Sequence, residues 1–282
     1  YRYVIISDVQ YDEDYKAYAH TRADGSIAEW FAWSMFGGSG GASMIRSLSG
    51  QTLAQSLTAA QEIAGAVANG NLWYTHTWSQ RCLLTDLLVL MGKSTNTQSV
   101  FGNGNCQSAS SASAFLATGT LKNMGQFYGY SSSTAQVKAF HLEKIWGDQW
   151  DRTAGLIANN AGRIYVKMTP EGQGYRVTDV TGYTDTGLNI FANQSGGTPI
   201  TAMSVSEYGC IPTSGSGSGS TFYCDNAWGY NSSNAINYLV VGAGASYASA
   251  VGGAFSFDVG CAPALASWSV GCGLSLIQPA AA

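Results

Sequence analysis

At 282 residues, with 11% charged residues and a formal net charge of -4, the chain is long enough to bury a substantial core in one large domain or two small ones. That balance leaves no basic footprint for nucleic acid, and no apolar run approaches the roughly 18 residues that span a bilayer, so nucleic-acid binding and membrane insertion are set aside. Gly (35 residues) and Tyr (16 residues) are abundant, the palette of an extracellular or virion protein and of recognition surfaces, where Tyr gives contact area at low entropy cost and small polar residues adapt.

Residues 1–25 read as an N-terminal extension or a connection to a shaft, opening with the strand-like Tyr3-Val-Ile-Ile6 and an acidic, aromatic run from Asp8 to Tyr18. The chain begins at Tyr1 without Met, as a fragment or processed product does. Asp8, Asp12, Glu13 and Asp14 lack the spacing of a calcium loop and read as solvated. Residues 26–282 read as one domain. Its first aromatics, Trp30, Phe31, Trp33 and Phe36, precede a Gly-rich turn, Gly37 to Gly41, with no Lys-Ser/Thr after it to make a phosphate cradle.

Two helices are announced by capping boxes. Thr58-x-x-Gln61 predicts one running to about Ala68, ended by Gly70; Thr77-x-x-Gln80 predicts another, with Leu83, Leu84, Leu87, Leu88 and Met91 at helical spacing up to Gly92 and the leucines expected in the core. His76 and His141 read as structural, since no third group marks a catalytic pair with Cys82 or Asp86; His20 carries no signal either. Phe101 to Ala114 reads as loop. Val137, Ala139 and Leu142, then Ile164, Val166 and Met168, alternate with polar residues as half-buried antiparallel strands do. Between them, Trp146-Gly-Asp-Gln-Trp-Asp-Arg152 reads as a packing motif, with Arg152 paired to Asp148 or Asp151, ahead of a carbohydrate site on Trp146 and Trp150. Residues 170–200 carry weak strands, and Thr213 to Ser220 is a flexible Ser/Gly loop.

Six cysteines, Cys82, Cys106, Cys210, Cys224, Cys261 and Cys272, show no C-x-x-C spacing for zinc or thioredoxin-like chemistry. Cys210 and Cys224 bracket the Ser/Gly loop and are one candidate pair; free buried thiols are the favoured alternative.

Residues 224–279 are the most informative stretch. They hold no His, Glu, Lys or Arg, so acid-base or nucleophilic chemistry has almost no groups to work with there. Apolar anchors such as Val240, Val251, Phe255, Val259, Trp268, Val270 and Leu274 alternate with glycines and with the chemically miscellaneous Tyr247, Ser249, Asp258, Gly260, Ser267 and Ser269. That division suits tolerant loops on a fixed frame.

The segments Tyr223-Cys-Asp-Asn-Ala-Trp228, Leu239-Val-Val-Gly, Gly253-Ala-Phe255 and Ser267-Trp-Ser-Val-Gly-Cys-Gly-Leu-Ser275 carry a resemblance, as do the earlier Thr77-Trp-Ser-Gln80, Trp146-Gly-Asp-Gln-Trp150 and Glu207-Tyr-Gly-Cys-Ile-Pro212. Over roughly residues 26–279 the chain resembles the variable proteins of diversity-generating retroelements, found in phages and bacteria of the gut. The resemblance implies an α+β, C-type-lectin-like fold close to that of formylglycine-generating enzymes, with two helices and twisted antiparallel strands. It implies a variable region at about residues 224–279, rewritten by an adenine-directed reverse-transcriptase system that favours Asn codons. Carried over by position, it makes Tyr230, Asn231, Asn237, Tyr247, Asp258, Gly260, Cys261, Leu265, Ser267 and Ser269 ligand-binding surface, and Trp228, Phe255, Trp268 and Gly271 frame.

It further implies a non-enzymatic receptor-binding protein with no cofactor and no metal. The expected partner is a bacterial surface protein or glycan, met from a phage tail fibre, where a homotrimer would suit the tip, or from a bacterial adhesin or pilin tip. Two rivals share the fold. A formylglycine-generating oxidase needs a reactive cysteine pair and copper, but Cys261 falls at a variable position and Cys272 in a strand-like run. A calcium-dependent lectin needs a Glu-Pro-Asn or Gln-Pro-Asp triplet, which is absent.

Overall fold

The computed structural model describes residues 9, 12–13, 16–104, 111–129, 136–169, 175–193, 197–216, 218, 223–242 and 251–279. Tyr3–Ile6, Asp8, Asp14, Cys106, Tyr247 and Ser249 lie outside the described residues.

Both capping boxes form. Helix α1 (Ala59–Val67) starts where Thr58 Oγ1 accepts from Gln61 N at 3.3 Å and Gln61 Oε1 accepts from Thr58 N at 2.9 Å, so two otherwise orphaned N–H groups are satisfied. Gly65 lets α1 lie close on strand β3 (Met44–Arg46): a Cβ there would stand 2.9 Å from Ile45 Cγ1. Helix α2 (Trp78–Gly92) repeats the box with Thr77 and Gln80 and ends at Lys93, in the left-handed region at φ 51. Leu84 and Leu88 are buried as expected, but Leu87 is 37% exposed, and Met91 beyond it 58%. The helix is apolar on more than one side, so spacing alone does not say which side faces inward. A third helix, α3 (Thr97–Phe101), follows, capped by Asn96 Oδ1 accepting from Ser99 N at 3.0 Å.

The fold is α+β, dominated by sheet. Strands β1 (Phe31–Trp33) and β4 (Trp73–Thr75) flank β14 (Leu274–Ile277), so the last strand closes back onto the first. Strands β2 (Ser39–Gly41) and β3 form a small hairpin. The large sheet runs β7 (Thr184–Asn189), β6 (Arg163–Val166), β5 (Trp150–Asn159), β11 (Ile236–Val241), β12 (Phe257–Cys261), β10 (Asn226–Trp228), β8 (Thr198–Ser206), β9 (Gly209–Gly215), with β13 (Val270–Gly271) paired to β5. Most pairs are antiparallel, but β10–β12 and β13–β5 are parallel. The main core cluster lies between this sheet and α2, with Trp78, Leu156, Ile164, Ile200, Leu239 and Phe257 among its members.

Ile164 and Val166 alternate buried and half-buried with their neighbours as the period-2 pattern requires. Val137, Ala139 and Leu142 form no strand: only single bridges, Tyr128 to Lys138 and Ala139 to Leu142, appear, because Phe140 and His141 turn at φ 52 and φ 66. The Ser/Gly segment is strand up to Gly215, since Thr213 to Gly215 lie in β9 against β8.

Trp146 and Trp150 are buried, so that stretch is packing, but Arg152 pairs with neither Asp148 nor Asp151. Its Nε donates to Glu62 Oε2 of α1 at 2.7 Å; Asp151 instead holds His76, and Asp148 accepts from Gln136. The described part of the N-terminal segment packs on the domain: Arg22 donates to the carbonyls of Gln278 and Pro279 at 3.0–3.2 Å. Cys82, Cys210, Cys224, Cys261 and Cys272 are all free thiols, which removes the Cys210–Cys224 bridge.

Candidate functional site

The loops of the 224–279 stretch stand on a rigid base. Asp225, buried just before β10, accepts from Gly253 N, Phe255 N and Gln98 Nε2, each at 2.8 Å, and Thr97 Oγ1 accepts from Ala254 N at 3.0 Å. These bonds pin residues 253–255 to α3 and β10. Trp228 and Phe255 are buried as frame residues, and Trp228 meets Trp150 edge to face at 5.2 Å. Gly271 is frame too, since a Cβ there would stand 2.6 Å from Ala54 O. Trp268 is only half-buried and tilts against Phe115 at 5.3 Å, so its ring is a flank of the surface rather than core.

Between β10 and β11 the chain makes an exposed turn, Asn231 to Ala235. Asn231 Oδ1 accepts from Ser233 N at 3.0 Å, an Asx turn. Asn237 organises it from beneath. Its Oδ1 accepts from Asn231 N (3.1 Å) and Asn234 Nδ2 (3.0 Å), while its Nδ2 donates to Asn231 O (3.2 Å) and Asn159 O (3.3 Å). With 0% exposure and its amide fully engaged, Asn237 holds the surface from inside and does not contact a ligand, which corrects its place among the surface positions. Ser269 is also buried, its hydroxyl 2.9 Å from that of Ser267, so only Ser267 of the two offers a partly exposed side chain.

The turn is tied to the end of β12, where Asn234 Nδ2 donates to Gly260 O at 3.1 Å. Asp258 folds onto its own strand, Oδ1 accepting from Gly260 N at 2.6 Å and Oδ2 from Cys261 Sγ at 3.7 Å. Burial pushes its pKa up to about 6, against the lowering pull of those two donors. Tyr230 is half-buried, and its ring occupies the space that a side chain at Gly162 would fill; its backbone exchanges bonds with Phe191 O (3.2 Å) and Asn193 N (2.9 Å). Tyr230, Asn231, Gly260 and Asp258 are thereby brought together.

Leu265, Ser267 and Ser269 sit on the loop that runs on from β12. Arg152 Nη2 donates to Leu265 O at 2.8 Å, Ala59 N to Pro263 O at 2.9 Å and Ser56 N to Ser267 O at 3.0 Å. The Glu62–Arg152 pair therefore anchors this loop to α1. Leu265 itself is exposed, and Cys261 is half-buried with its thiol pKa raised well above the ordinary value by burial and by Asp258. Asn193, Asn234 and Gly162 belong to the same face without having been singled out. The run Asn231-Ser-Ser-Asn234 is a sequence signal for the turn; nothing marks Gly162 or Asn193.

Among the described residues the arrangement presents hydroxyls, amides, the phenol of Tyr230 and the leucine of Leu265, with Asp258 its one carboxylate. Among the described residues no group of three or more His, Cys, Asp or Glu is placed to hold a metal, and no helix is long and apolar enough to cross a membrane. A cavity of about 550 Å³ lies elsewhere, between the N-terminal segment, α2 and the β8–β9 hairpin, with Lys16, Tyr18, Asp86, Met168 and Glu207 on its walls. Among the described residues none of its lining comes from 224–279. Comparison with models of known protein families gives no match, and comparison with curated proteins gives none either.

Proposed function

We propose that the chain is a diversified binding protein of C-type-lectin-like fold, a variable protein of a diversity-generating retroelement that displays the Tyr230–Asn231–Gly260–Leu265 face to a bacterial surface protein or glycan. The observation that carries this reading is the division of labour within residues 224–279. Trp228, Asn237, Phe255 and Gly271 are buried and locked, while Asn231, Ser232, Ser233 and Leu265 are exposed on loops that the locked residues hold. Such loops accept substitution without loss of the core. The near-absence of ionisable groups speaks for contact through shape, hydrogen bonds and a few anchors, with Tyr230 and Leu265 the largest. Attachment at a phage tail-fibre tip, in the form of a homotrimer, is the first setting for such a surface; a bacterial adhesin or pilin tip is the second.

The test is binding of the purified chain to intact gut bacteria, read by flow cytometry, for wild type, Tyr230→Ala, Leu265→Asp and a control, Val205→Asp, on the β8–β9 hairpin. The proposal predicts binding that survives chelation and is weakened by the first two substitutions and not by the control. Equal binding by all four folded proteins would refute the face.

A further inference from the structure

A second constellation lies where the three-stranded sheet meets β5 of the large one. His76 follows β4 and is fixed by its backbone, since Ala154 N of β5 donates to His76 O at 2.9 Å. Its Nδ1 stands 2.7 Å from Asp151 Oδ2, and its Nε2 stands 3.4 Å from Ser34 Oγ, at the end of β1. Gly273 makes room for the imidazole, because a Cβ there would collide with the ring, and Trp33 lies against its face at 4.4 Å.

Asp151 is held below the usual carboxylate range: burial pushes it up, but His76, Lys144 and Arg81 outweigh that. Asp151 Oδ2 lies where it can accept from Nδ1–H, and in that neutral tautomer the Nε2 lone pair points toward Ser34. Ser34 Oγ already accepts from Leu274 N at 3.0 Å, so its own proton is the one left to point at His76. A hydroxyl, a base aimed at it and a carboxylate orienting the base are the parts of an acyl-transfer centre, recognised by geometry rather than by order in the chain. A spacing of 3.4 Å is long for a hydrogen bond but within the range from which catalytic pairs tighten on substrate binding.

We propose that Ser34, His76 and Asp151 form an acyl-transfer site that cleaves short-chain carboxylic esters, with Ser34 as nucleophile, His76 as base and Asp151 as positioning residue. Ser34 is half-buried just past the edge strand of its sheet, with the exposed Ala32 and Met35 close by in sequence, so an ester reaches it from solvent and short-chain esters are its first substrates to test. Ser34 Oγ bonds to the ester carbonyl carbon while its proton passes to His76 Nε2. The bond from that carbon to the alcohol oxygen then breaks, and the departing alcohol takes the proton from His76. Water, deprotonated by the same nitrogen, attacks the acyl-serine, releasing the carboxylic acid and returning the proton to Ser34. No oxidant, reductant or metal enters the balance.

The test treats the folded full chain with a fluorophosphonate probe, maps the adduct by peptide mass spectrometry, and follows p-nitrophenyl acetate hydrolysis in parallel. A single adduct on Ser34 is expected, with hydrolysis falling about 100-fold or more in Ser34→Ala and in His76→Gln. In Asp151→Asn the labelling of Ser34 should slow in a protein that still folds, a change that a purely structural carboxylate would not produce, while loss of the downfield Nδ1 proton resonance of His76 checks only that the carboxylate held that proton. Ser34→Ala keeps the His76–Asp151 bond, so it decides the matter if the His76 variant does not fold. Absence of an adduct on folded wild type, or one that persists in Ser34→Ala, would overturn the assignment.

Discussion

Replacing Asn237 by Ala separates a supporting residue from a contacting one. The side chain makes four hydrogen bonds, to Asn231 N, Asn231 O, Asn234 Nδ2 and Asn159 O. At a net value near 1 kcal/mol each, with the two donors at the exposed turn able to turn to water, the loss comes to roughly 2–3 kcal/mol. For a chain of this size that lowers the melting temperature by about 5–8 °C. Asn231→Ala removes only the exposed Asx bond to Ser233 and should change stability by about 0.5 kcal/mol. Urea denaturation of both variants, monitored by tryptophan fluorescence, makes the comparison. A destabilisation below about 1 kcal/mol for Asn237→Ala would refute the argument that its buried amide organises the turn.

The Arg152 anchor gives a double-mutant prediction. Arg152→Met alone leaves Glu62 buried without its cation and should destabilise by about 3–5 kcal/mol, whereas adding Glu62→Leu should recover most of that loss, measured by chemical denaturation. A pH dependence follows from Asp225, whose carboxyl burial pushes up to about 7 from 3.8 despite the N–H groups of Phe255 and Gly253, Gln98 and the charge of Arg81. Because the folded form holds its proton more tightly, the stabilisation is full below 3.8 and is lost as pH rises through about 7. At about 1.4 kcal/mol per pH unit between the two values, up to roughly 4 kcal/mol separates pH 4 from pH 8. Glu62, also raised to about 7 by burial, acts in the same direction. Melting temperatures across that range should therefore fall toward alkaline pH, less steeply in Asp225→Asn; a flat or rising profile for wild type would contradict the sign. Tyr230→Ala should lower binding with an intact cooperative unfolding transition, and loss of the transition would make Tyr230 frame.

What could be read from the residues was local. Thr58 with Gln61 and Thr77 with Gln80 specify helix starts within four residues, so both helices were legible to within a residue or two. The alternation at Ile164 and Val166 likewise marks a strand by itself. Contacts that depend on distant partners were not legible: Glu62 meets Arg152 across 90 positions, and His76 meets Asp151 across 75. The inward side of α2 depends on what packs against it, which left Leu87 misplaced. Asn237 shows the limit most clearly, since a polar residue in a variable-looking stretch gives no sign of burial until Asn159, Asn231 and Asn234 are seen around it. Tyr230, Asn231, Gly260 and Leu265 were named as ligand-binding surface only through the resemblance, and composition alone would not have grouped them, since Gly260 lies within β12 while Asn231 and Leu265 lie in exposed connections.

The central claim, that this face is diversified, is tested most directly by deep sequencing of the coding region for residues 224–279 across a natural population, together with its flanking DNA. The account predicts substitutions at adenine-derived codons for the exposed positions, Tyr230, Asn231, Leu265 and Ser267 among them, with Trp228, Phe255 and Gly271 unchanged, beside a near-identical template repeat and a reverse-transcriptase gene. Variation spread evenly along the stretch, or absent with no template nearby, would contradict it.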